Sequence, residues 1–165
     1  MSTARQLGLL SVTLTWSLAA IWLLRPARPA PSVPVPIHHN TALELAATVL
    51  READRFYAAQ TGYGGFNPPE VLAWRYILPS DRADSVFKAI LHDGPRPGQL
   101  YALAGLYLID SVAYKRESRR LRSLAGDVPT VIGCIVGARS VSSVLDDMDR
   151  GWWTKEFLAA RLIHH

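Results

Sequence analysis

The chain has 165 residues, 49% of them apolar and 19% charged, a balance that excludes an intrinsically disordered protein and suits one ordinary domain. Its formal charge of +4 is concentrated at one end, because Arg5, Arg25 and Arg28 precede position 37 and no acid does. From 37 onward 15 basic residues stand against all 14 acidic ones, a net +1, which excludes a nucleic-acid binder with its charge in the folded part.

Positions 6–24, QLGLLSVTLTWSLAAIWLL, run for 19 residues without a charge. At about 1.5 Å per residue this makes a helix of roughly 28 Å, close to the hydrocarbon thickness of a bilayer. A signal anchor is the preferred reading of 1–24. The alternative is a signal peptide cut near Ser17-Leu18-Ala19, which would leave Ile21-Trp22-Leu23-Leu24 as an apolar mature start. Residues 25–36, RPARPAPSVPVP, contain five prolines and form a linker that is neither helix nor central strand. Extended as polyproline II, it spans roughly 35 Å. The expected location of the 37–165 domain is therefore the outer, periplasmic side of a membrane, or the exterior if the leader is removed.

Thr41 and Glu44 fit a capping box, and Leu43, Ala46, Ala47, Leu50, Ala53 and Tyr57 recur at helical spacing, which predicts a helix over 42–60 ended by the glycines at 62, 64 and 65. Asn67 before Pro68 and Pro69 predicts a cap and a short helix over 70–78. Ser80 is placed to cap the next helix, whose stripe is Ala83, Val86, Phe87, Ile90 and Leu91. Residues 99–109, QLYALAGLYLI, are apolar nearly all round and predict the buried centre of the core. Asp110-Ser111 restarts a helix through about 124. The β-branched stretch 130–136 predicts at most one short extended segment. Ser140 caps a helix with Val141, Val144, Leu145 and Met148 on one face, and a last helix covers about 153–163. These lengths predict an all-α domain of stacked helical hairpins, HEAT-like in helix length but without a fixed repeat.

Around GPRPGQLYALAGLYLID and the IGCIV segment, over roughly 81–148, the chain resembles a family of exported bacterial helical proteins. That resemblance implies an envelope protein and brings no activity with it.

Cys134 is the only cysteine, so no intramolecular disulfide forms, and its apolar neighbours predict a buried structural thiol. The histidines, His38, His39, His92, His164 and His165, lack the spacing of metal ligands, so neither metal nor cofactor is expected. Asp146, Asp147 and Asp149 share a helix with an apolar stripe and are expected to be its solvated side. Tyr63 and Phe66, in a glycine-rich loop, are candidates for an aromatic contact surface. Lys115, Arg116, Arg119, Arg120 and Arg122 wrap one side of a helix and are candidates for a patch facing a membrane surface or an acidic envelope partner. The functional expectation is a non-enzymatic, membrane-tethered or exported binding or structural protein of the bacterial envelope. The alternative is a hydrolase or transferase using Cys134 or an Asp/His pair in an assembled cleft.

Overall fold

The computed structural model describes residues 39–62 and 65–159. The expected N-terminal anchor and proline-rich linker, together with Tyr63, His38, His164 and His165, lie outside the described residues. Among the described residues no helix is long and apolar enough to cross a membrane.

In chain order the elements are α1 (His39–Arg51), β1 (Phe56–Thr61), α2 (Pro69–Ile77), α3 (Ala83–Asp93), α4 (Arg96–Ile109), α5 (Ser111–Arg122), β2 (Asp127–Gly133), β3 (Ile135–Ser140), α6 (Val141–Asp149) and α7 (Trp152–Ala159). The strands form one sheet in the order β1-β2-β3. β1 runs parallel to β2, with Phe56 beside Thr130 and Tyr57 beside Val131, while β2 and β3 form an antiparallel hairpin. The connection between the parallel pair is long, as that geometry requires, and consists of α2 to α5.

The domain is therefore mixed α and β, which overturns the all-α expectation. Two local readings failed. The apolar spacing that carries α1 through Leu50 continues to Ala53 and Tyr57, yet the helix stops at Arg51 and the chain turns extended at Phe56. Pairing with β2, more than 70 positions away, gives Phe56 and Tyr57 a β environment that no local window registers. Second, the single extended segment expected over 130–136 is two strands. Gly133 takes a φ of +58°, a left-handed turn conformation open to glycine, and folds the chain back so that Ile135 pairs with Ile132.

α4 forms the centre of the core, with Leu100, Tyr101, Ala102, Leu103, Ala104 and Leu106 fully enclosed. It packs against α3 on one side and α5 on the other, and it also reaches β1. Two glycines allow these approaches. A methyl group at Gly98 would sit 2.3 Å from the Leu50 carbonyl oxygen, and one at Gly105 would sit 2.3 Å from the Phe87 ring. An aromatic cluster joins β1, α2 and α7 to this centre. Phe56 lies 4.7 Å from Tyr101 and 4.4 Å from Trp153 between ring centres, and Phe157 lies 5.0 Å from Trp74. The Tyr101 hydroxyl accepts a hydrogen bond from the Tyr57 backbone N–H at 2.8 Å, tying β1 to α4. Side-chain caps start two helices: Asp110 accepts from the Ala113 N–H, and Ser140 from the Ser143 N–H. Asn67 and Ser80 do not cap. Pro68 and Arg82 occupy those positions instead, and Ser80 Oγ accepts from the Arg82 N–H in the preceding turn.

Candidate functional site

Two surfaces collect the residues singled out in the sequence. The first is the outer side of α5 and the cleft between α5 and α3. Tyr114, Ser118 and Leu121 face inward, which turns Lys115, Arg116, Arg119 and Arg120 toward solvent. Glu117, largely enclosed, is gripped from both sides: Arg120 Nε donates to one carboxylate oxygen at 2.7 Å and Arg116 Nε to the other at 2.9 Å. Hydrogen bonds from Arg120 and then Arg116 hold the Glu117 carboxyl below the ordinary glutamate range. Both arginines hold Glu117 through Nε, and Arg120 also donates from a terminal nitrogen to the Leu91 carbonyl at 3.5 Å, while Arg116 has no further hydrogen bond among the described residues. With Lys88, Leu91 and His92 of α3, these three residues line an open cleft of about 600 Å³. Lys88 bridges Asp84 at 2.8 Å and Asp110 at 3.0 Å, so α3 is strapped to the start of α5.

Arg122 behaves differently from the rest of the basic set. It turns to α6, where it pairs with Asp146 and with Asp149 at 2.6 Å. Asp149 also accepts from the Tyr114 hydroxyl at 2.6 Å, and burial followed by this bond pushes the Tyr114 phenol far above its usual range. Asp147 pairs with Arg139 of β3 at 2.7 Å and with Arg150. The three aspartates expected on a solvated helix side thus fasten α6 to α5 and β3. Lys115 and Arg119 have no ion pair among the described residues.

The second surface is the β2–β3 hairpin. Every residue of β3 is exposed except Arg139, which is half-buried. Ile135 is 74% and Val136 66% accessible, on opposite faces of the strand. Phe66, 64% accessible, belongs to the neighbouring turn, which is joined to the hairpin by the Gly62 N–H bonding the Gly133 carbonyl at 3.0 Å. Cys134 sits at the hairpin turn and is exposed, which corrects the expectation of a buried thiol. The turn needed a residue beside the left-handed Gly133, and the apolar neighbours that suggested burial are themselves in solvent.

His92 lines the α3–α5 cleft, whereas Cys134 is outside that lining. No group of three or more His, Cys, Asp or Glu is placed to hold a metal among the described residues. Glu70, which sequence reasoning passed over, has its carboxyl raised chiefly by burial in the first turn of α2, with Asp54 adding to the effect. No protein family, curated protein or solved structure matches the chain.

Proposed function

We propose that the domain is a non-enzymatic binding module of the bacterial envelope, held at the membrane by the 6–24 segment, and that it takes an extended stretch of a partner protein along β3. The observation that supports this is the free edge of β3. One side of the strand is fully paired with β2 from Ile135 to Ser140, so the other side offers a row of main-chain donors and acceptors. Edge strands are commonly protected by lysine, proline, bulges or a covering element. Among the described residues Ile135, Val136, Gly137 and Ala138 have none of these and remain exposed. A partner strand added here would gain backbone hydrogen bonds along the edge and apolar contacts with Ile135 and Val136. Phe66 extends the apolar area at the turn end.

Cys134 supplies the test, since the only thiol lies at the end of the proposed groove. A thiol-reactive photocrosslinker attached there in the full-length chain should trap a partner in envelope preparations. The adduct should disappear when Ile135→Lys and Val136→Lys are combined. Adducts of unchanged yield in that variant would remove β3 from the interface, and an adduct of twice the chain mass would make the partner a second copy.

A further inference from the structure

The outer side of α5 gathers exposed cations beside exposed apolar side chains. Val112, Lys115, Arg116 and Arg119 fall at intervals of three and four on α5 and so form one outward stripe. Val112 is 74% accessible, and beside it at the α4–α5 corner Leu108 and Ile109 are 40% and 42% accessible. Around the α4–α5 corner three apolar side chains close in sequence are thus exposed, and three cations follow them along α5. The acids nearby balance Lys88, Arg116 and Arg120 and leave Lys115 and Arg119 without a counter-charge among the described residues. Asp110 is occupied by the Ala113 N–H and by Lys88, Glu117 by Arg116 and Arg120, and Asp84 by Lys88. Lys115 and Arg119 keep their full charge available, and Arg116 projects with 68% of its side chain accessible.

We infer that this stripe is a membrane-contact surface, in which Leu108, Ile109 and Val112 enter the headgroup boundary while Lys115, Arg116 and Arg119 meet the phosphates of anionic lipids. Charge complementarity selects an anionic surface. The apolar corner selects a bilayer over a soluble polyanion, because a polymer of acidic groups gives those three side chains nothing to bury against. The α3–α5 cleft, where Glu117 sits between Arg116 and Arg120, opens beside the stripe.

The test places an environment-sensitive fluorophore at position 112 of the full-length chain, by Val112→Cys in a Cys134→Ser background, and compares vesicles of phosphatidylcholine with and without phosphatidylglycerol. A blue shift is expected only with the anionic vesicles. Reversing Lys115→Glu and Arg119→Glu should weaken the titration by roughly tenfold or more, since each basic residue near such a surface contributes about fivefold to binding. A fluorophore on the native Cys134 should report no shift, which separates docking of this face from general association through the N-terminal segment. The inference is overturned by an unshifted fluorophore at 112, by equal shifts on neutral vesicles, or by an unaffected titration in the reversed variant. It is also overturned if polyglutamate reproduces the shift and anionic vesicles do not, which would make the partner an acidic polymer.

Discussion

Gly98 shows how a single atom decides a helix contact. On propensity alone, Gly98→Ala would stabilise α4 by about 1 kcal/mol. The added methyl would lie 2.3 Å from the Leu50 carbonyl oxygen, a backbone atom at the end of α1 that has no rotamer in which to retreat. Overpacking of this kind costs roughly 1–3 kcal/mol and should win. Gly98→Ala is expected to lower stability by about 1–2 kcal/mol in urea unfolding, whereas Gly137→Ala, where nothing lies within 4 Å, should change it little. In the sequence Gly98 stands just ahead of the apolar run 99–109 and carries no signal of its own. Its role depends on α1, some fifty positions earlier, so no local signal could identify it. Cys134 was misjudged for a related reason, since apolar neighbours imply burial only where another element covers them, and nothing covers this turn among the described residues.

Charge rather than apolar contact joins several elements. Arg139 and Asp147 fasten β3 to α6, and the side chain of Asp147 is only 16% accessible. Burial by itself would raise the Asp147 carboxyl, but hydrogen bonds from Arg139 and Arg150 outweigh it and hold the group below its ordinary range. A depressed carboxylate contributes stability that is complete above its unfolded pKa of about 3.9 and is lost as pH falls through the folded value. Asp147→Asn should therefore cost roughly 1–2 kcal/mol at neutral pH. The gap between variant and parent should narrow as pH falls below about 4, measured by urea midpoints across that range. The helix starts were legible where a side chain acts on its own next turn, as at Asp110 and Ser140, and the interior of α4 was legible because it is apolar on every side. The basic residues of α5 were legible as a set. Their division was not, because which arginine turns to α6 and which to solvent depends on where Asp146 and Asp149 lie in space.

At the scale of the whole molecule, elements far apart in sequence share one core. Phe157 of α7 touches the rings of Phe56, Trp74, Tyr101 and Trp153, which come from β1, α2, α4 and α7 itself. Arg75 Nε also donates to the Phe157 carbonyl at 2.9 Å, fixing the last helix to α2. Phe157→Ala should remove roughly 3–5 kcal/mol. It should do so cooperatively, with tryptophan fluorescence and far-ultraviolet circular dichroism losing signal at the same midpoint. A fluorescence transition that precedes the circular dichroism one would show that α7 detaches separately from the rest.

The parallel pairing of β1 with β2 also sets an order of events during synthesis. β1 leaves the ribosome, or a translocation channel, long before its partner strand, and Phe56 then waits for Trp153 and Phe157, which come later still. The emerging chain must add more than 70 residues before that edge is paired, a period in which a chaperone able to shield extended apolar segments would find its natural substrate.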